Sequence, residues 1–171
     1  MAIEIAPHVV YAHETRTRIA LARRACEEII ASLNQILADT MTLRDLYRKH
    51  LWQASGPAFY SLHLVFDKHH GEQDDLTDIL AERIQALGGT PIVMAADVAE
   101  TTILRRPPRS REAPAIQLMR LADAHERVLA FMRNAAHRAA ELGDDGTHEV
   151  LVDDVIRINE EQSRFVRGHL Q

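Results

Sequence analysis

Apolar residues recur at helical spacing along most of the chain. From about Leu21 to Gln53 no proline or glycine interrupts, and Ile29, Leu33, Ile36, Leu37, Leu43, Leu46 and Tyr47 return every few residues. That pattern predicts one long helix. Ser55-Gly56-Pro57 ends it, and Pro57 opens the next helix, where its missing backbone N–H costs nothing. The second helix is expected to run to about Leu87, tolerating Gly71, with Phe59, Leu62, Val65, Phe66, Leu76, Ile79, Leu80 and Ile84 on its core face. Gly88-Gly89-Thr90-Pro91 stops it. At roughly 1.5 Å per residue each helix spans about 45 Å, and the tight turn between them makes them antiparallel neighbours.

The stretch between Pro91 and Pro114 is too long for a simple turn, and Ala95 to Ile103 predicts a short helix inside it. A third long helix follows from about Ala115 to Leu142, with Leu118, Leu121, Ala124, Val128, Phe131 and Met132 inward, and a fourth from about Thr147 to His169. The expected fold is all-α: a four-helix bundle with a short helix in the long crossover between helices two and three, which carries the chain back along the bundle as in ferritin-like topology. One domain over residues 1–171 is expected, with a short N-terminal tail of about residues 1–15.

Composition narrows the functional classes. The chain has 171 residues, 46% hydrophobic and only 5% aromatic, enough for a full core and a balance that favours helices over sheets. Cys26 is the only cysteine, so no disulfide forms within the chain. No stretch approaches the roughly 20 apolar residues of a membrane span, and a soluble, cytoplasmic protein is expected. The net charge of −5 disfavours polyanions as partners of the whole molecule. Residues 1–15 contain no Lys or Arg, so no basic arm there neutralises phosphates. The one dense positive run, Arg105-Arg106-Pro107-Pro108-Arg109-Ser110-Arg111, is read as a solvated linker in preference to a DNA contact.

Ten histidines invite a metal reading, but there is no cysteine pair and no His-Glu-x-x-His, which argues against a simple zinc enzyme. Nor is there a Glu-x-x-His on any helix, the tetrapeptide that di-iron carboxylate bundles carry within one subunit. On the second helix, however, His63, Asp67, His70, Asp74, Asp78 and Glu82 follow at steps of three or four and share one stripe. Such a stripe is either a solvated helix face or a set of ligands for a borderline cation such as ferrous iron. If two such helices met antiparallel across a twofold axis near residues 72 and 73, His63 and Asp67 of one would face Asp78 and Glu82 of the other.

The segment Trp52-Gln53-Ala54-Ser55-Gly56-Pro57-Ala58-Phe59-Tyr60-Ser61-Leu62-His63-Leu64-Val65-Phe66-Asp67, followed by Ala81-Glu82-Arg83-Ile84-Gln85-Ala86-Leu87-Gly88-Gly89, resembles the signature of the Dps family of mini-ferritins. The match is dense over about residues 46 to 91, and the helix pattern extends it over nearly the whole chain. The resemblance implies a homo-oligomeric shell of twelve subunits with ferroxidase centres between twofold-related copies. It assigns iron ligation to His63 and Asp67 of one subunit and to Asp78 and Glu82 of its mate, with Trp52 beside the centre. Taken alone, a tryptophan is expected in core packing. The resemblance further implies oxidation of ferrous iron with hydrogen peroxide, storage of ferric mineral, and protection of DNA by removing both reactants. Direct DNA binding is a separate property, and the missing basic arm argues against it.

One departure stands out. The family carries another ligating histidine immediately before the tryptophan, where this chain has Leu51, with His50 one step earlier. One residue rotates a side chain by about 100°, so His50 replaces that ligand only if the helix end is distorted, and otherwise reads as a solvated helix-end residue. His70 or a water is the other candidate. Asp145, Glu149 and Asp153 form a second acidic stripe near the start of the fourth helix, explained either by the helix dipole or, through the resemblance, by channels that draw ferrous ions inward. His148 and Asp154 point elsewhere. A structural or DNA-compacting cage with little oxidase activity, and a plain four-helix interaction protein, are the rival readings.

Overall fold

The computed structural model describes residues 19–170, so the expected N-terminal tail lies outside the described residues. The helices are α1 (Arg23–Gln53), α2 (Phe59–Ala86), α3 (Ala95–Thr101), α4 (Pro114–Glu141), and a fourth rod made of α5 (Asp145–Glu149), a π-helical stretch (Val150–Ile156) and α6 (Arg157–Gly168). Four long rods form the bundle, and α3 lies against α1 within the crossover. Among the described residues no helix is long and apolar enough to cross a membrane. The elements match the expected ones to within a residue or two, except for the π-helical turn, which no local sequence signal marks.

Both α2 and α4 end in the same way. Gly88 (φ 85°) follows α2, with Gly88 N–H donating to Gln85 and Gly89 N–H to Ile84; Gly143 (φ 79°) follows α4, with Gly143 N–H donating to Ala140 and Asp144 N–H to Ala139. This left-handed stop satisfies the last carbonyls, and a side chain with a Cβ is disfavoured there.

The core is the predicted one, centred on Leu33, Ile36, Leu37, Leu43, Tyr47, Phe66, Leu76, Leu80, Leu121 and Met132. Four predicted core positions differ. Phe59 is 46% exposed, and Val65, Ile79 and Phe131 only pack half-buried against the core edge. Phe59 is the first residue of α2, before a neighbouring helix covers that face.

Polar residues also enter the interior. The Tyr47 hydroxyl and His125 Nε2 share a hydrogen bond of 2.6 Å, and Gln73 donates to Asn159 at 3.1 Å and Gln162 at 2.9 Å. Ferritin-like di-iron bundles place carboxylates in this position. Here the centre is a phenol, imidazoles and amides; the buried carboxylates among the described residues are Asp39 and Asp144. Each of those ties the fold together. Asp39 on α1 accepts from Thr102 Oγ1 (2.7 Å) and the Ile103 N–H (2.8 Å), and burial raises its pKa. Asn34, one turn earlier, accepts from the Ile92 N–H and donates to the Thr90 carbonyl. Asp144 caps α5 by accepting from the Thr147 N–H and pairs with Arg83 near the end of α2.

Candidate functional site

The outward face of α2 carries the predicted stripe, and α1 divides it. Arg44 Nη1 donates to Asp74 at 2.9 Å, and Arg48 Nε donates to His70 Nε2 at 2.8 Å. Two central members of the stripe are therefore engaged within the chain. The outer members, His63 with Asp67 and Asp78 with Glu82, carry no hydrogen bond or ion pair to any described residue, and Asp67, Asp78 and Glu82 are exposed. His63 is half-buried, its ring 5.5 Å from Phe59, and its buried Nδ1 has no partner.

The two pairs stand one above the other on a single face, since His63 and Asp67, like Asp78 and Glu82, are one helical turn apart. Fifteen residues separate His63 from Asp78, which along a helix is about 22 Å. No single ion reaches both pairs of one chain. Among the described residues no three His, Cys, Asp or Glu side chains converge as a metal-holding group.

Large apolar side chains at the end of α1 and the start of α2 lie without cover. Trp52 is 74% exposed, Tyr60 72% and Leu64 51%. The expectation that Trp52 packs in the core is corrected. Its ring lies on the surface with the Arg48 guanidinium 5.9 Å from its centroid, because two residues beyond the inward-facing His50 the regular turn of α1 carries the side chain to the outer face. An apolar rim around unpaired ligating groups is what a subunit interface leaves open when viewed one chain at a time.

His50 is corrected on both counts. It is neither a solvated helix-end residue nor a ligand at the stripe. Helix α1 runs undistorted through Gln53, so His50 faces inward, fully buried with its ring 6.2 Å from Phe66, while Leu51 takes the half-buried edge. Burial, with the Lys49 charge second, holds its pKa near 4. His70 is likewise not a free ligand. Its Nε2 accepts from Arg48, and partial burial followed by that positive charge lowers its pKa, which opposes a cation there.

The second acidic stripe is present. Asp145 and Glu149 lie exposed on α5, and Asp153 lies exposed within the π-helical stretch, its carbonyl accepting from Arg157 Nε at 2.7 Å. His148 turns away to the Ala136 carbonyl. Sequence reasoning missed the roles of Arg44 and Arg48. The signal was available, since Arg44, Arg48 and Trp52 recur at steps of four on the α1 face next to the stripe.

Comparison with known proteins adds independent findings. Residues 30–171 match the ferritin-like domain. A protein from the bpoA2 5′ region of Kitasatospora aureofaciens is 47% identical over 130 residues, which is 76% of this chain and 87% of that protein. The DNA protection during starvation protein of Agrobacterium fabrum is 27% identical over 156 residues, 91% of this chain and 96% of that one. Among solved structures, DpsC from Streptomyces coelicolor superposes with a TM-score of 0.88 at 46% identity, covering 90% of this chain and 89% of that chain.

Proposed function

The chain belongs to the Dps family of ferritin-like proteins, and on that premise we propose that it oxidises ferrous iron at centres formed between twofold-related copies and keeps the ferric product inside a hollow homo-oligomeric shell. The observation that carries this reading is the division of the α2 stripe into two unpaired halves by Arg44 and Arg48. Pairing His63 with Glu82 and Asp67 with Asp78 of a mate gives the same midpoint, at the level of Glu72 and Gln73. One twofold axis between antiparallel α2 helices therefore completes both sites at once. The same contact covers Trp52, Tyr60 and Leu64, whose exposure is otherwise unfavourable.

In this reading iron is substrate and cargo. His63 and Asp67 supply an imidazole and a carboxylate, and Asp78 and Glu82 of the mate supply two more carboxylates. Hard carboxylate oxygens favour the ferric product over the ferrous reactant, so the ligand set itself assists oxidation. Hydrogen peroxide accepts one electron from each of two ferrous ions and two protons from solvent, its O–O bond breaks, and two waters leave. Leu51 provides no ligand and His50 faces the core, so water completes the coordination on that side. The Arg44 and Arg48 guanidiniums bar cations from the middle of the stripe and keep the two sites of a dimer separate. Asp145, Glu149 and Asp153, on one flank of the fourth rod, line the route by which ferrous ions enter a shell of twelve copies. Consumption of iron and peroxide in the cytoplasm protects DNA without contact.

A second reading, a shell with little oxidase activity, is favoured by Leu51 alone. The two separate in a stopped-flow assay of peroxide-driven ferrous oxidation by the assembled protein. Oxidation well above buffer, lost in a His63→Ala, Asp67→Ala double variant of unchanged size, supports the oxidase; oxidation at the buffer rate supports the passive shell.

A further inference from the structure

Tyr47 on α1 and His125 on α4 meet inside the bundle, where both side chains are fully buried within one chain and their contact does not depend on assembly. Tyr47 Oη lies 2.6 Å from His125 Nε2, and the hydroxyl has no other hydrogen-bond partner among the described residues. A proton on Nε2 would leave both the hydroxyl proton and Nδ1 unpaired, so the phenol donates and Nε2 accepts. Burial, followed by the Glu72 charge, raises the Tyr47 pKa. Burial, followed by neighbouring His69, holds that of His125 near 3. At rest the pair is a neutral phenol on a neutral imidazole.

Such a pair gives up an electron that an isolated buried phenol holds. An oxidised phenol is a strong acid, and in an apolar interior its proton cannot leave without a base in hydrogen-bond contact. His125 is that base, and the proton moves along the existing hydrogen bond with no side chain rearranged. The pair then carries one positive charge, which the negative charge of Glu72 stabilises. Because His125 is a weak base, the proton returns to the oxygen once the electron is restored. The position is also apt. The Tyr47 ring stands 6.1 Å from that of Phe66, and Phe66 directly precedes Asp67 on α2. Packed aromatic contact thus reaches from the phenol to the chain neighbour of Asp67.

We infer that Tyr47 and His125 form a one-electron donor inside the subunit, Tyr47 losing an electron to a radical oxidant while its hydroxyl proton passes to His125 Nε2. The source of the oxidant rests on the iron reading above. When peroxide meets a single ferrous ion it takes one electron, its O–O bond breaks, and hydroxide and a hydroxyl radical result. The electron from Tyr47 reduces that radical to a second hydroxide, leaving ferric iron, a neutral tyrosyl radical and a protonated His125. A second ferrous ion returns the electron, and the proton goes back to the oxygen. The two hydroxides take protons from solvent, so the sum is again two ferrous ions oxidised per peroxide. The pair thereby confines a radical that would otherwise attack the shell.

Rapid freeze-quench electron paramagnetic resonance on the assembled full-length protein tests it in two arms. One mixes limiting ferrous iron with hydrogen peroxide; the other illuminates iron-free protein with ruthenium tris-bipyridine and persulfate, which generate a one-electron oxidant without iron. A tyrosyl radical is expected in both arms, largely lost in Tyr47→Phe and kept in Tyr60→Phe, which removes an exposed tyrosine of α2. Each of these variants differs from the wild type by one oxygen, so a lost signal is not a lost fold. His125→Phe keeps the phenol but removes its base, and is expected to lower the yield by about tenfold or more. A radical undiminished in Tyr47→Phe, or unchanged in yield in His125→Phe, overturns the inference, as does the absence of a Tyr47 radical from both arms. A Tyr47 radical under light, with none under iron and peroxide, upholds the pair and counts against the iron reading alone.

Discussion

Arg48 on α1 donates its Nε proton to His70 Nε2 on α2 at 2.8 Å, removing one imidazole from a row of six potential ligands. The row then reads as two outer pairs, not as one continuous acidic face. A substitution His70→Ala is expected to leave the rate of peroxide-driven ferrous oxidation within about twofold, since a ring held by a cation contributes no ligand. Asp67→Ala is expected to lower it by tenfold or more, on the order of a lost metal ligand. Initial rates for the two variants at equal shell concentration decide the matter; equal losses would mean that His70 ligates iron after all.

Asp39 anchors the crossover to α1, and its loss leaves the Thr102 hydroxyl and the Ile103 N–H without their acceptor in a buried place. Asp39→Ala is expected to destabilise the fold by about 3 kcal/mol, the order of cost of orphaned buried donors plus lost packing. Asp39→Asn retains an acceptor oxygen and is expected to cost less. Chemical denaturation of both variants, read against the wild type at equal concentration, provides the comparison.

Gly146 sits in the first turn of the fourth rod with open helical geometry, yet a Cβ there would lie 3.1 Å from the Arg83 guanidinium. That guanidinium also pairs with Asp144 and donates to Thr147 Oγ1 at 2.8 Å. Gly146→Val therefore pushes a half-buried cation from its buried partner Asp144 and is expected to cost about 1–3 kcal/mol, as overpacking does. Thermal unfolding measures it; a stability equal to wild type would mean that Arg83 shifts freely and that the pair does not hold the rods together.

Much of the bundle was legible because its rods obey one simple period: apolar residues every three or four positions, closed after the second helix by Gly88-Gly89. The stripe on α2 was legible for the same reason. His50 and Trp52 were not. Their orientation depends on register at the last turn of α1, where one residue changes core into surface, so that His50 is fully buried and Trp52 is 74% exposed. Gln73, His69, His125 and Asn159 were equally hidden, since a polar residue in a core stripe looks like an interruption until its partner from another rod is known. The tethering of the crossover by Asn34 and Asp39 pairs residues more than fifty positions apart, which no local pattern records.

Three buried imidazoles set the acid response. His50 and His69 titrate near 4 and His125 near 3, in each case chiefly because burial penalises the charged ring. Unfolded histidine titrates near 6.5, so between about pH 6.5 and 4 the unfolded chain binds more protons than the native one. Stability is therefore complete above about pH 6.5 and falls as pH drops, by about 1.4 kcal/mol per pH unit for each ring. Asp39, whose pKa burial raises, acts in the opposite sense, but as one group against three. Denaturation midpoints between pH 7.5 and 4.5 are expected to fall steadily, and a flat profile would contradict the burial of these rings as neutral groups.

The central claim is that each oxidation site takes His63 and Asp67 from one copy and Asp78 and Glu82 from another. Complementation tests it most directly: co-assemble a His63→Ala, Asp67→Ala variant with an Asp78→Ala, Glu82→Ala variant, each inactive alone, and measure peroxide-driven ferrous oxidation. In a randomly mixed shell half of the twofold pairs are heterologous and each has one intact site, so activity is expected to return to about a quarter of wild type. Mixed shells of normal size that stay as inactive as their parents would contradict a site shared between subunits.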